Sequence, residues 1–374
     1  MSACRPIASA LKNKLCIFAK KFFMKNVILT ISILCFSIFS YSQSDTVKIA
    51  ANLTPEQIAQ NDYNSGLNYL NNNNPSMAIQ LFTQALQNMP NFEKAYYNRS
   101  LCYIQLKNYP EALKDINQAI QLKPSDEYYF TKSLIFFHQN QKDSLEQTLL
   151  KTLVINPNHA EANYYLGMLY FNYQDYDKAL SYYQKAIQSK SDYAYAYNDL
   201  ASTYLMKNDI DNAIKNYELA AKYAPNQAFI FNNLGSAYRQ KKDYNKAIEA
   251  YSKAIMLDNN YFIAYINSGA TRLEKGDIVG AKSDFEKVIQ KDPRNSAAYN
   301  GLAGVYIKEK DYKKAKEMAT RAIELNPDNG QAYYNRGIAR QMLREEDAAC
   351  EDWQKALKLG ITPAKSFIST DCAD

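Results

Sequence analysis

Residues 228–261 read AFIFNNLGSAYRQKKDYNKAIEAYSKAIMLDNNY. Phe231, Leu234, Gly235 and Tyr238 stand three and four apart in this stretch, as do Ala247, Tyr251 and Ala254. Those spacings place residues on one face of an α-helix, so the stretch predicts two helices with a break near Lys241–Asp243. Asp243 sits where the second helix begins. A short acidic side chain there accepts from backbone N–H groups that the first turn leaves without partners.

The same pattern recurs up and down the chain. Pro90, Pro124, Pro157, Pro225, Pro293 and Pro327 lie 34, 33, 68, 68 and 34 residues apart, with Ser191 and Asn259 at the two skipped points. Ala78, Ala112, Ala179, Ala213, Ala247, Ala281, Ala315 and Ala349 form one small-residue series. Seven residues on come Ala85, Ala119, Ala186, Ala220, Ala254, Val288, Ala322 and Ala356, with Phe82, Tyr183, Tyr217, Tyr251, Phe285 and Trp353 between the two. Earlier in each unit a small residue precedes an aromatic by three, as in Gly66/Tyr69, Gly167/Tyr170 and Gly235/Tyr238. Asp175, Asp209, Asp243, Asp277 and Asp311 are expected to cap the second helices, and the prolines to stop them. A fixed period near 34 residues signals stacked repeats, each unable to bury its apolar face alone.

On these residues the body resembles the tetratricopeptide repeat family. Its aromatic, Leu-Gly-x-x-Tyr, Ala-x-x-x-aromatic-x-x-Ala and Pro series are all present, with Tyr or Phe (Tyr96, Tyr197, Phe231, Tyr265, Tyr299, Tyr333) in place of the usual tryptophan. The resemblance implies an all-α fold, a right-handed superhelical solenoid of nine tandem helix-turn-helix repeats. They start at 59, 93, 126, 160, 194, 228, 262, 296 and 330 and fill 59–363. Residues 43–58 form an N-terminal lead-in, and 364–374 a C-terminal capping helix and tail. The third unit reads as one residue short, with Leu145 and Thr152 at its alanine positions. Arg272 and Arg340 occupy late aromatic positions, where a stem can pack while the charged head reaches water.

Composition agrees with an all-helical repeat protein. Eleven Gly and eleven Pro in 374 residues are too few for a collagen or a turn-dense β chain, whereas 32 tyrosines supply the recurrent aromatic. The net charge of +6 belongs to residues 1–42, which hold six basic residues and no acid, so the remaining chain carries 38 charges of each sign. A neutral body argues against a nucleic-acid partner.

Residues 1–42 read as a signal peptide. Lys20, Lys21 and Lys25 precede an apolar run from Val27 to Phe39 and the small-x-small ending Ser40-Tyr41-Ser42, with Gln43 as the new N-terminus. An uncleaved anchor is the alternative, although about 20 apolar residues are needed to span a bilayer and this run has 13. Met24 opens a more ordinary leader than Met1, so 1–23 stands as an over-called start or a long n-region. The Tyr-Ser-Gln ending resembles those of exported proteins of Gram-negative bacteria, which implies periplasm, envelope or secretion.

The sequence carries no enzyme signature: no phosphate loop, dinucleotide fingerprint, His-Glu-x-x-His or Cys-x-x-Cys. Its two histidines, His138 and His159, lack companions at metal-ligand spacing. No catalytic residue, metal or other cofactor is therefore expected, and no small-molecule substrate is evident. The expected partner is a protein or peptide. Oligomeric state is not written in the sequence.

In this family the stripe at i, i+4 and i+7 beside the core faces the concave side. It reads Tyr63/Leu67/Leu70, Tyr97/Leu101/Ile104, Phe130/Leu134/Phe137 and Tyr164/Met168/Phe171 in the first four units. In units five and six it turns to Asn198/Ser202/Leu205 and Asn232/Ser236/Arg239, and units seven to nine are mixed, with Ile266, Asn300 and Tyr334 leading. Three readings stand: the apolar stripe packs on the next repeat, forms an open groove for an apolar helix or peptide, or is covered by 43–58. Beside it run Asn64, Asn98, Asn233, Asn267 and Asn335, residues that hold a peptide backbone in some family members and are structural in others.

Cysteine placement adds one bond. Cys4, Cys16 and Cys35 leave with the leader, and Cys102 suits a helix core. Cys350 to Leu359 and Pro363 to Cys372 are both nine steps, about 14 Å each at helical rise. Helices folding back at Gly360 bring the two sulfurs level, which predicts a Cys350–Cys372 disulfide in an oxidising compartment.

Overall fold

The computed structural model describes residues 53–372, and among these every regular element is an α-helix. They form two bodies that divide after Pro157. The first holds α1 (Pro55–Asn71), α2 (Pro75–Asn88), α3 (Glu93–Gln105), α4 (Tyr109–Leu122), α5 (Asp126–His138) and α6 (Lys142–Ile155). The second begins with α7 (Ala160–Asn172), α8 (Tyr176–Ser189), α9 (Ala194–Met206), α10 (Ile210–Tyr223), α11 (Ala228–Gln240) and α12 (Tyr244–Leu257). It continues with α13 (Phe262–Lys275), α14 (Ile278–Lys291), α15 (Ser296–Lys308), α16 (Tyr312–Leu325), α17 (Gly330–Met342), α18 (Glu346–Lys358) and α19 (Ala364–Asp371). The leader, 1–42, lies outside the described residues.

Each odd-numbered helix up to α17 packs on the even one that follows it, and the reason is steric. In six of the nine pairs a small residue in the first helix meets a ring sixteen residues later in the second, and in the others Ile116, Leu149 and Ala319 fill that place. A Cβ added to Gly167 would lie 2.6 Å from the Tyr183 ring, and one added to Gly235 would lie 2.7 Å from Tyr251. Tyr183, Tyr251, Phe82, Phe285 and Trp353 are accordingly among the most deeply buried side chains. Most first helices also touch the next first helix, as in α11–α13–α15–α17, whereas no comparable contact joins successive second helices among the described residues. Within each body the first helices therefore crowd onto an inner face.

The helix ends follow local chemistry. Asp175, Asp209, Asp243, Asp277 and Asp311 each accept a backbone N–H three residues on, at 2.9–3.2 Å. The turns between paired helices place Asn73, Lys107, Asn140, Gln174, Asn208, Lys242, Lys310 and Arg344 at φ of 56–65°, and only Gly276 supplies a glycine there. This left-handed residue lets the next N–H reach back to a carbonyl in the last turn, as from Asp175 to Tyr170 at 3.0 Å.

The structure refines several readings of the sequence. The short step is not inside the third unit but in the connection before it, where residues 123–125 do the work of the usual four. Leu145 and Thr152 are buried at 5% and 0% and fill their alanine sites. The described part of the lead-in belongs to α1, since Thr54 caps the helix with Gln57 and it already starts at Pro55, four residues before the first repeat start read from the sequence. Residues 43–52 lie outside the description. Finally, Arg272 and Arg340 turn inward rather than to water. Arg272 Nε donates to Asp284 at 3.0 Å and Arg340 Nη1 to Asp352 at 2.9 Å, with Arg336 completing the latter group through Nε at 2.8 Å. Arg99 and Asp115 form a third such pair, at 2.7 and 2.8 Å.

The C-terminal end closes as a clip. Gly360 at φ 88° turns the chain after α18, and Cys350 and Cys372 are disulfide-bonded with Cα atoms 5.7 Å apart. Phe367 of α19 lies 4.7 Å from the Trp353 ring and 5.7 Å from Tyr334. Cys102 is a free buried thiol that burial pushes up to about 12.

Two outcomes follow from this packing. Gly235→Ala should destabilise by about 1–3 kcal/mol through overpacking against Tyr251. Gly304→Ala, whose Cβ meets only Leu273 at 3.5 Å, should gain up to about 1 kcal/mol from helix propensity. Urea denaturation of both variants checks the opposite signs. Asp352→Ala strands two largely buried guanidinium groups and should cost about 3–5 kcal/mol, with exchange protection lost first in α17–α19. Glu274→Ala, removing a half-exposed partner of Arg239, should stay within about 1 kcal/mol.

Candidate functional site: the inner face of the second body

The apolar stripe is partly packed: Tyr63 and Ile104 are buried, and the other ten side chains are half-buried. In the first body Tyr63 stacks on Phe82 and Phe92, with centroids 5.7 and 4.7 Å away, and its hydroxyl accepts from Asn98 at 2.9 Å. Tyr97 lies 4.7 Å from Tyr128 and donates to Glu127 at 2.9 Å. Phe130 is half-buried. In the second body Tyr164 contacts Tyr183 and Tyr193 and donates to Asp199 at 2.8 Å. Met168 and Phe171 pack in the same cluster. Burial holds the Tyr63 and Tyr164 hydroxyls above the ordinary tyrosine range. An aromatic of the inner row is thus committed to the following repeat. Of the three readings of this stripe, these contacts favour the one in which Tyr63, Tyr97 and Tyr164 pack on the next repeat.

The polar half is arranged differently. Asn233 Nδ2 donates to Asn198 Oδ1 at 3.1 Å, Asn267 to Asn232 at 2.9 Å, and Asn335 to Asn300 at 2.9 Å. Each bond joins residues 35 apart, one first helix to the next. Asn198 and Asn232 are both 6% exposed. Such a bond engages one end of each amide. Asn198 uses its other end on Asp199 at 2.9 Å. Asn232, Asn233, Asn267, Asn300 and Asn335 keep theirs without a partner inside the protein.

Around this row lie Ser202, Ser236 and Arg239, which the sequence stripe already contained, and Ala270, Gly304, Gln240 and Glu274, which it did not. Ser202, Ser236, Ala270 and Gly304 form a small-residue line one turn further along each first helix. The serines are held from below, since Tyr217 Oη shares a 2.8 Å hydrogen bond with Ser202, and Tyr251 Oη donates to Ser236 at 3.2 Å. Beyond them Arg239 pairs with Glu274, Nε lying 3.1 Å from both carboxylate oxygens. Ser236, Arg239, Gln240 and Glu274 line an open depression of about 330 Å³. On the opposite side of the amide row Tyr195 stacks on Phe229, with centroids 6.0 Å apart and planes 17° apart, and Ile263 follows 34 residues later at 56% exposure. Their signal was present as an apolar residue at the second position of three successive units.

No group of three or more His, Cys, Asp or Glu residues is placed to hold a metal ion among the described residues, and no described helix is long and apolar enough to cross a membrane.

Family profiles described as tetratricopeptide repeats match residues 93–126, 160–193, 194–227, 235–276 and 272–340. Hsp70-Hsp90 organizing protein 2 of Arabidopsis thaliana is 34% identical over 85 residues, 22% of this chain and 15% of that one. Hsp70-Hsp90 organizing protein 3 of the same plant is 30% identical over 105 residues, 28% and 19% of the two chains. The chain thus spans less than a fifth of these relatives. A tetratricopeptide repeat protein from Parabacteroides merdae superposes with a TM-score of 0.57 at 19% identity, over 66% of this chain and 99% of that one. A chain of the Cut9–Hcn1 hetero-tetramer of the APC/C gives 0.51 at 15% identity, over 84% and 76%. These structures share the fold. With the profile matches extending over more than half its length, and with helix pairs recurring at the same period, the chain belongs to the tetratricopeptide repeat family.

Proposed function

We propose that this protein is a non-enzymatic adaptor that holds a protein or peptide partner on the inner face of its second body. The amide row carries the reading. Buried polar groups ordinarily find partners, and here Asn232, Asn233, Asn267, Asn300 and Asn335 keep hydrogen-bonding capacity that the protein itself does not use. A main chain, with a donor and an acceptor at nearly every residue, matches such a line. The name of the relatives above, organizing proteins for two chaperones, describes a similar kind of work. Asn232→Ala with Asn267→Ala should weaken partner capture by about 10–100-fold. Stability should fall by about 1 kcal/mol, the worth of one amide–amide bond. Unchanged capture in a pull-down with equal loading would overturn the reading.

A second reading is a structural subunit held by its outer surface. Leu150, Val154 and Ile155 of α6 favour it, exposed at 39%, 83% and 46%. Crosslinking mass spectrometry on envelope extract separates the two: links to α9, α11 and α13 mark an adaptor, links to α6 a structural subunit.

The location proposed is the exported space of a Gram-negative cell, on the charged, apolar and small-x-small pattern of residues 20–42. A disulfide between Cys350 and Cys372 accords with an oxidising compartment. N-terminal sequencing of protein recovered from the host should begin at Gln43, and an intact N-terminus in the membrane pellet would contradict cleavage.

A further inference from the structure

The second body carries its charge unevenly. The turns inside three successive helix pairs, at 239–246, 273–282 and 307–316, hold eleven basic and five acidic residues. The connections at the other end of the same second helices, 255–262, 289–296 and 323–330, hold two basic and four acidic. Residues 43–374 are balanced as a whole, so the excess belongs to one edge.

Pairing sharpens it. Every acid in those turns is engaged: Asp243 by Lys246, Glu274 by Arg239, Asp277 by Arg272, Glu309 by Lys282 and Asp311 by Lys314. Lys241 and Lys316 are held by Asp211 and Glu345 of neighbouring turns. Lys242, Lys275, Lys308, Lys310 and Lys313 are left, exposed and in no ion pair among the described residues.

The turns before these show how the excess arises. Lys207 Nζ donates to Asp177 at 2.6 Å, and Lys241 Nζ to Asp211 at 2.6 Å. Each lysine reaches thirty positions back, to the second residue of the preceding second helix. That place is Asn245 in α12, Val279 in α14 and Lys313 in α16. A helix N-terminus favours an acid there and disfavours a cation. The acid is nevertheless missing from three units in a row, and Lys275 has only Asn245 at its register.

Exposed apolar side chains share the edge. Val279, in the first turn of α14, is 81% exposed, and Met342, two turns further along, is 51% exposed. A soluble polyanion such as duplex DNA would meet the lysines and leave Val279 in water. A bilayer with anionic headgroups takes both, since the ammonium groups attract the headgroups while apolar side chains and lysine stems enter the interface.

We propose that the turn edge of α11–α16 docks on an anionic lipid bilayer. Lys242, Lys275, Lys308, Lys310 and Lys313 meet the headgroups, and Val279 enters between them. The surface is separate from the amide row, so this inference does not rest on the adaptor reading.

The test footprints lysines of the full chain by acylation and mass spectrometry. Each amine is read separately, so association through residues 1–42 does not count. Vesicles of phosphatidylcholine containing about a third phosphatidylglycerol should protect the five lysines at least about tenfold more than vesicles of phosphatidylcholine alone. Lys215, Lys287 and Lys355, exposed along α10, α14 and α18, should stay equally reactive with both. A basic residue near an anionic surface is worth about fivefold in partition, so replacing Lys275, Lys310 and Lys313 together by Gln should raise the lipid needed to protect Lys242 and Lys308 by about 100-fold. The same triple replacement at Lys215, Lys287 and Lys355 should change it by less than about twofold, the screened effect of distant charge. Val279→Ser should raise it by about three- to tenfold, part of the worth of a buried valine. Circular dichroism confirms that each variant keeps the helical fold. Equal protection by both kinds of vesicle, protection by neither, or equal loss from the two triple variants overturns the inference. Protection by duplex DNA as strong as by the mixed vesicles, with Val279→Ser changing nothing, assigns the edge to a soluble polyanion and also overturns it.

Discussion

The pairing of helices rests, in six of the nine described pairs, on a ring in the second helix lying against a residue too small to resist it in the first. Gly167 under Tyr183, Gly235 under Tyr251 and Gly337 under Trp353 leave no room for even one added carbon. That contact sets the distance between paired helices, and close-packed interiors transmit such a constraint rather than absorb it. It also has a consequence on the other side of the helix. The hydroxyls of Tyr217 and Tyr251 pass beneath the first helix and fix Ser202 and Ser236 on the inner face. Core and surface are joined by the same side chain.

The inner face is built by two rules that meet in the second body. Up to Tyr164 its leading residue is aromatic, and an aromatic there is drawn into the gap before the next helix, as Tyr164 is into Tyr183 and Tyr193. At Asn198 and Asn232 the same place is held by an amide. Amides bridge the gap with one end; the other end of Asn198 turns to Asp199, and that of Asn232 has no partner within the protein. A polar, periodic face replaces an apolar, filled one, with no change in backbone architecture. Solenoids vary surface chemistry repeat by repeat in this manner because each unit contacts chiefly its neighbours.

The ends and charges obey the same economy of contacts. Buried carboxylates at Asp115, Asp284 and Asp352 each hold at least one arginine of their own pair, so no charge stands alone in the core. In the last pair, α17–α18, Trp353 is not covered by a further helix pair among the described residues. Phe367 of α19 covers it instead, with the Cys350–Cys372 bond closing the clip.

The helix pairs, their period, the aspartate caps and the closing cysteine pair were all legible in the amino-acid order, because each rests on residues near one another in sequence or repeated at a fixed interval. The left-handed turn residues were not. Only Gly276 announces one, while Lys107, Lys242 and Arg344 adopt the same backbone because the packed helices on either side demand it. The site was legible in its parts and misjudged in its weight. Tyr63, Tyr97 and Tyr164 look like an apolar groove when each helix is drawn alone, yet the neighbouring repeat buries them. Asn232 and Asn267 look like two polar residues until the fold sets them 35 residues apart and 2.9 Å from each other. Periodicity determines which residues share a helix face. Only the stacking of one pair on the next decides which of those faces remain open, since that depends on the distance between helices and on what fills it.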